Sequence, residues 1–583
     1  MGVSLEWNQS AGRRLVRARR PRSPGSVAEQ SGTADIWGQR ILAALTIACA
    51  LVFVSGCSRN EPRADLVIIN GIEPETLDPA LIQGVAEMRI TSALFEGLTR
   101  LNPKTALPEP GLAARWEMSP DGLTYTFHLR SNLVWSTGEP ITAGDVVYSW
   151  IRALTPATAS IYAGQLFYLT NAEDFNAGRI TDPSLVGVHA IDPLTVRVEL
   201  NSPTAFFLDL CAFQTLAVVP RQAIEKYGDN WLMERPVPSS GAYTLVTWRL
   251  NDKIRLRRNP RYWDAANTKT ELVDFLPIGS PTTALNLYET GAADIVWDKA
   301  MVPAELLDVL LKRPDFHSYP ILGTYFIRCN VTKKPFDDPR VRRALALAID
   351  KERLTTKIMR AGELPADHFT PPGIAGYQPP KGPGCNPEEA RRLLAEAGYP
   401  GGKGFPRFEY MFNAAAGGAA KIHEQVAVEL QQMWRDELGI DMELRQVEWK
   451  VFLADEDKLD YELDRASWIG DYNDPDTFLN LFMSDNANNR TGWKNARYDG
   501  LMREADRQVD PAKRERLLQE AETMLIRDES PVIPLFYYVG FNYYDTTKIK
   551  GIYNNVIDIH PLNAISRIGV ERKAEGAGTE KGG

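Results

Sequence analysis

The 583-residue chain is predicted to be an α/β protein of several domains, exported at its amino end. Three observations carry this. Strand-like apolar alternation is interleaved with capped amphipathic helices through most of the chain, which argues for α/β units and against a helix bundle. The length corresponds to three or four units of usual size. A basic, then apolar, then small-residue order precedes residue 57.

The amino end comes first. Residues 1–57 hold seven Arg against Glu6, Glu29 and Asp35, about +4, so the remainder of the formal −9 leaves the body at about −13. Ile41 to Val54 is apolar apart from Thr46 and Cys49. These 14 residues fall short of the roughly 18 or more of a membrane-spanning helix. Arg40 precedes the run and Val54-Ser55-Gly56-Cys57 follows it, the order of a signal peptide.

The body opens on the apolar strand Leu66-Val67-Ile68-Ile69. Leu123, Tyr125, Phe127 and Leu129 alternate with Thr124, Thr126 and His128, as a half-buried strand does. Val196, Val198 and Leu200 repeat the pattern after a turn at Asp192-Pro193. Residues 241–246 and Ile254-Arg255-Leu256 read as further strands. Asp338 is placed to cap a helix starting at Pro339, with Val341, Ala344, Leu345, Ala348 and Ile349 on one face. Asn386-Pro387-Glu388-Glu389 starts the next helix, and Gly398 and Pro400 end it. Ile422, Val426, Leu430 and Met433 mark a third, which Gly439 stops before strand alternation resumes at Ile440, Met442 and Leu444. The Gly-, Glu- and Lys-rich tail from Arg572 to Gly583 reads as disordered.

Composition narrows function. With 44% hydrophobic and 24% charged residues this is a folded chain. An acidic body without a basic stripe argues against a nucleic-acid partner. Beyond Cys49 and Cys57, the cysteines are Cys211, Cys329 and Cys385, without a C-x-x-C pair, which disfavours a zinc ribbon or a redox motif. One disulfide is compatible with an oxidising compartment, and nothing in the spacing selects the pair.

Several passages, read in order, carry a resemblance. They are residues 73–79 (EPETLDP), 94–98 (LFEGL), 125–130 (YTFHLR), 135–143 (WSTGEPITA), 240–243 (SGAY), 258–264 (RNPRYWD) and 335–342 (PFDDPRVR). From about Leu66 to Ile568 the chain resembles the family 5 solute-binding proteins of ABC transporters, the oligopeptide binders in particular. Residues 54–57 likewise resemble a bacterial lipobox, which implies that Cys57 is the lipid-modified first residue of the mature protein. Each buried methylene of such an anchor contributes about 0.8 kcal/mol. The family resemblance implies a periplasmic-binding-protein-like fold of class C, two α/β lobes closing on a ligand with an additional inserted domain. Carried onto this chain, the leader takes 1–57, lobe I takes 58–95, 222–322 and 540–575, the inserted domain 96–221, and lobe II 323–539, with a tail at 576–583. The implied protein is a monomer without a cofactor. It binds oligopeptides on the outer side of a bacterial membrane and passes them to a permease whose ATPase subunits are separate chains.

A general peptide receptor should grip what all peptides share. An enclosed ammonium needs a carboxylate, and extended backbone is held by main-chain hydrogen bonds. On residue types alone, 465–475 (RASWIGDYNDP) reads as a loop, with Asp474-Pro475 as a turn and Asp471 as a helix cap. The resemblance instead matches Asp471 to the aspartate that binds the peptide amino group, and Gly470 lies in the same ligand-binding stretch. His423 matches a histidine that helps bind peptide carboxylates, a task for a cationic or donating imidazole; a solitary surface His is the alternative. Trp449 matches a ligand-lining Trp, with a core Trp as the alternative. Tyr162 and Val85 match groove-lining residues. Arg465 matches an Arg near the carboxylate subsites, where a structural salt bridge is the alternative. The chain departs from the family at Gln83, Glu456 and Arg328, where the family has Glu, Arg and Glu. Gly323 and Ile469 replace two cysteines that form a disulfide in related proteins. The amino-end clamp is thus expected to transfer, and the carboxyl-end clamp is not.

Catalytic signatures are missing. The chain has no G-x-S-x-G, no phosphate loop ending in G-K-[ST] and no H-E-x-x-H. Six His are too dispersed for a metal cluster, and Asp471 with Asp474 is the nearest approach to a glycosidase carboxylate pair. Within the binding class, dipeptides, cell-wall peptides, nickel chelates, haem or sugars are the competing ligands. A chaperone-like surface lipoprotein is the competing class.

Overall fold

In the computed structural model, residues 61–297, 301–374, 376–413 and 418–569 are described; the apolar run, Cys57 and the tail from Arg572 lie outside them. Fourteen strands and five helices position the site. The strands are β1 (Leu66–Ile69), β2 (Ala113–Met118), β3 (Thr124–Leu129), β4 (Val188–Asp192), β5 (Thr195–Glu199), β6 (Tyr243–Arg249), β7 (Lys253–Arg258), β8 (Leu272–Leu276), β9 (Ile295–Val296), β10 (Phe316–Cys329), β11 (Phe408–Asn413), β12 (Met442–Val447), β13 (Leu463–Ile469) and β14 (Val532–Tyr544). The helices are α1 (Val85–Leu94), α2 (Ala143–Leu154), α3 (Pro339–Leu347), α4 (Pro387–Glu396) and α5 (Gly418–Leu438).

The expected local signals do their work. Asp338 accepts the Arg340 N–H at the start of α3, and Asn386 accepts the Glu389 N–H at the start of α4. Gly398 (φ 102°) and Gly439 (φ 69°) turn the chain after α4 and α5 through left-handed conformations that a Cβ would strain. Along β3 every second residue is buried.

One long sheet runs β12-β11-β13-β10-β14-β9-β1-β8-β7-β6, with Leu364–Pro365 pairing against β14 as an eleventh strand. Strand β1 runs parallel to both β8 and β9. Its alternate residues enter different cores: Leu66 and Ile68 pack with Tyr243, Phe275 and Trp297, while Val67 and Ile69 pack with Ala284, Phe316 and Tyr543. That double burial is why its sequence is continuously apolar. The other half of the sheet is covered in the same way. Tyr325 and Ile327 pack with Tyr410, Trp434 and Phe536 on one face, and Phe326 packs with Phe369, Phe482 and Tyr498 on the other. The sheet therefore carries two lobes, each with cores on both faces.

Among the described residues, only β10 and β14 run through both lobes. Residues 316–320 pair with 539–543 beside β9, whereas 323–329 pair with β13. Between Pro320 and Thr324 the register slips. A slip frees backbone from the ladder, so the crossing strands are most easily bent there.

A smaller antiparallel sheet, β2-β3-β5-β4, stands apart with its own core of Tyr125, Phe127, Val196 and Val198 under Val146 and Trp150 of α2. Among the described residues no helix is long and apolar enough to cross a membrane.

Candidate functional site

The segment that closes β13 holds the central carboxylate. Gly470 donates its N–H to the Leu322 carbonyl, continuing the ladder one step past the strand. A Cβ at Gly470 would lie 3.0 Å from the Phe478 ring, so a larger residue would push the loop away from Phe478 and Thr477. The next N–H, of Asp471, donates to Thr477 Oγ1 (3.1 Å). Asp474 Oδ1 accepts the Asp476 N–H at 2.9 Å and closes a turn around Pro475, and among the described residues Asp471 caps no helix. The Asp471 carboxylate meets solvent, yet the protein crowded about it raises its pKa from 3.8 to about 6. No ion pair engages it among the described residues. The facing side chain from the four-stranded unit is Tyr162, whose phenol pKa rises through burial and the nearby Asp471 charge. Tyr162 is held edge-on by Phe213 at 5.4 Å.

A second cluster lies in lobe II. A cavity of about 160 Å³ is lined by Trp449, Phe452, Arg465, Arg328, Glu456 and Arg490. Arg465 donates to Asn413 Oδ1 (2.8 Å) and Ser467 Oγ (3.2 Å), and its guanidinium lies 5.8 Å from the centres of both Tyr325 and Phe452. It is in no ion pair among the described residues, so the salt-bridge alternative is set aside. Trp449 is 45% exposed and stacks on Phe452 at 5.7 Å, so it is a cavity wall and not a core residue.

His423 needs a correction. It is neither a surface residue nor a cation. It is 7% exposed on α5, with Nδ1 3.3 Å from the Tyr325 hydroxyl, and burial together with the Arg465 charge lowers its pKa to about 3. A neutral, donating ring is what remains. Val85, the first residue of α1, is 57% exposed.

The departures at 328 and 456 are not independent losses. Arg328 and Glu456 form a buried ion pair, Arg490 reaches the other oxygen of Glu456 at 2.8 Å, and Arg328 also approaches Asp464 at 3.4 Å. Sequence reasoning missed Asp464, Asn413 and Arg490. A signal for Arg328 was present, since it is the charge that follows the apolar run Tyr325-Phe326-Ile327; Asp464, beside Arg465 in β13, gave none. Arg490 lies in a loop and gave none. Gly323 and Ile469 stand directly opposite across β10 and β13, and the Ile469 side chain fills the space over Gly323.

The sequence profile of the bacterial extracellular solute-binding proteins, family 5, matches residues 108–490. The periplasmic oligopeptide-binding protein OppA of Salmonella typhimurium is 38% identical over 485 residues, 82% of this chain and 87% of its own. Among solved structures, the unliganded open form of the periplasmic murein tripeptide binding protein MppA superposes with a TM-score of 0.77 at 32% identity, over 87% of this chain and 98% of its own. The Haemophilus influenzae OppA complex with the peptide RPPGFSPFR superposes with a TM-score of 0.68 at 33% identity, over 87% and 99%.

Proposed function

The chain belongs to the bacterial extracellular solute-binding proteins of family 5, and on that footing we propose that it captures oligopeptides outside the cytoplasm and delivers them to an ABC permease. The observation that carries this reading is Asp471, a carboxylate facing the cleft, free of any cation among the described residues and already strained toward protonation. A peptide ammonium relieves that strain by favouring the ionised form. Arg465, Trp449 and the cavity beside them offer a cation and an aromatic wall to the rest of the ligand. Neutral His423 serves as a hydrogen-bond donor at most, and Gly470, Tyr162 and Val85 shape the groove.

In this reading the four-stranded unit is the inserted domain, about 96–221. Lobe I is drawn from 58–95, 222–322 and 540–575, and lobe II from 323–539. Hinge motion at the register slip in β10 closes the lobes on the peptide. The protein works as a monomer tethered by lipid at Cys57, needs no cofactor and catalyses no reaction; ATP hydrolysis belongs to separate subunits. Native mass spectrometry of the purified protein, with sequencing of whatever co-purifies, is expected to return short peptides with free amino ends. Recovery of only sugars or a metal chelate would overturn the reading.

A further inference from the structure

Strand β13 is paired on one edge and open on the other. It pairs with β10 from Leu463 to Ile469, but with β11 only at Leu463 and Asp464. Beyond Asp464 the second edge carries no strand among the described residues. The Gly470 N–H bonds to the Leu322 carbonyl, so in the alternating antiparallel pattern Trp468 and Ala466 direct their backbone groups to β10. Ile469 and Ser467 direct theirs to the open edge. An extended ligand added there runs back from Asp471 toward Arg465, with its side chains alternating between the two faces of the sheet. Ala466 and Trp468 share one face with Phe326 and Arg328 of β10, and all four line the cavity of about 160 Å³. A ligand side chain on that face therefore enters the cavity.

The charge of the lining is unbalanced. Arg328, Arg465, Arg490 and Glu456 are its charged members, three guanidinium groups against one carboxylate. Glu456 is fully engaged, one oxygen by Arg328 and the other by Arg490 at 2.8 Å. Two further carboxyl groups stand behind the wall. Asp464 approaches Arg328 at 3.4 Å with no exposed surface, and burial pushes it toward its neutral form. Asp457 meets Arg490 Nε at 2.9 Å, but its side chain is 61% exposed and screened by water. Arg465 is in no ion pair among the described residues, and its guanidinium lies at the open edge, 5.8 Å from Phe452 in the cavity wall and from Tyr325 on the opposite face. Arg490 enters from a loop outside the sheet and lines the cavity. The aromatic walls, Trp449, Phe452 and Phe482, exclude water and so strengthen the pull of these cations.

We propose that this cavity is a subsite selecting an acidic side chain of the ligand, and that Arg490 sets the preference. A ligand carboxylate supplies the missing negative charge, a lysine adds a fourth cation, and a neutral amide gains from neither. Arg328 has Glu456 as its buried partner, and Arg465 sits on the ligand's main-chain path, where it meets backbone oxygens whatever the side chains. Arg490 meets only what enters the cavity. A terminal carboxylate continues the main chain along the edge, whereas the cavity opens off the edge on one face, so the carboxylate it takes is a side chain's. The assignment rests on the peptide-binding reading above and adds to it a class of peptide.

The test is calorimetry on the whole protein with alanine pentapeptides, free at the amino end and amidated at the carboxyl end, each carrying Glu, Gln or Lys at one position from the second to the fifth. At one position Glu should bind about tenfold more tightly than Gln, and Lys more weakly than Gln. Arg490→Gln should bring Glu and Gln at that position to within about twofold of one another, and Arg490→Lys should keep the preference. The reading is the ratio of Glu to Gln on one protein, so a general loss of affinity in a variant cancels. Equal affinities for Glu and Gln at every position of the wild type, or a preference that survives Arg490→Gln, would overturn the proposal. So would an effect of Arg490→Gln seen only with the same peptides carrying a free carboxyl end, because the cavity would then hold the terminal carboxylate. Binding of the all-alanine peptide without any acid preference removes the subsite alone, whereas a protein that binds none of the peptides removes the transport reading as well.

Discussion

Arg328 and Glu456 form a buried ion pair, and each bears the charge opposite to that expected at its position from the family pattern. Exchanging both signs together keeps the site close to neutral, whereas exchanging one would leave a buried charge unpaired.

A double-mutant cycle should expose this coupling. Glu456→Gln leaves Arg328 and Arg490 facing one another and is expected to cost about 3–5 kcal/mol in urea unfolding. Adding Arg328→Met should recover part of that loss, with a coupling of about 1–3 kcal/mol. Additive single and double variants would show that the two residues act separately.

Asp471 is expected to discriminate by the ligand's amino end. Asp471→Asn should weaken binding of a free-amino tripeptide by about 2–5 kcal/mol and leave an N-acetylated tripeptide nearly unaffected, as read by calorimetry. A bound ammonium lowers the Asp471 pKa below its unliganded value of about 6, so affinity is full above pH 6 and falls as pH drops below it. An Asp471→Asn protein with an unchanged acid limb would remove Asp471 from that role.

His423 should stay neutral throughout the physiological range. Burial and the Arg465 charge place its pKa at about 3. Its ring resonances in a ¹H–¹⁵N spectrum are expected to show no titration between pH 8 and pH 5. A midpoint near 6 would restore the cationic role.

The Gly323–Ile469 pair makes a steric prediction. A Cβ on Gly323 would lie 2.6 Å from Ile469 Cδ1 and 2.9 Å from the Tyr538 ring, so Gly323→Ala should destabilise lobe II by about 1–3 kcal/mol in thermal unfolding. The Gly470 N–H bonds to the Leu322 carbonyl, which makes the Gly323–Ile469 pair a non-hydrogen-bonded one. Such pairs place Cα atoms about 4.5 Å apart, within disulfide range. Gly323→Cys with Ile469→Cys should therefore oxidise spontaneously, losing two titratable thiols.

Much of the architecture was legible because its causes are local. Asp338-Pro339 and Asn386-Pro387 set helix starts, Gly398 and Gly439 set ends, and the alternation at 123–129 set a half-buried strand, each through a neighbour a few residues away. The Asp471 loop was also legible, through its resemblance to a known pattern. Charge state and exposure were not, because they depend on atoms distant in the chain. Arg328 and Glu456 are 128 residues apart and looked like two losses until the fold joined them. Trp449 could have been core or wall, and its 45% exposure depended on where the chain after β12 turns. His423 kept its imidazole whatever the fold, but its burial and the Arg465 charge on β13 decided that the ring is neutral. By itself, then, the sequence determined the elements and the family. Only the tertiary structure decided which charges are paired and which are buried. Burial and Coulomb energy depend on distance in space and not along the chain.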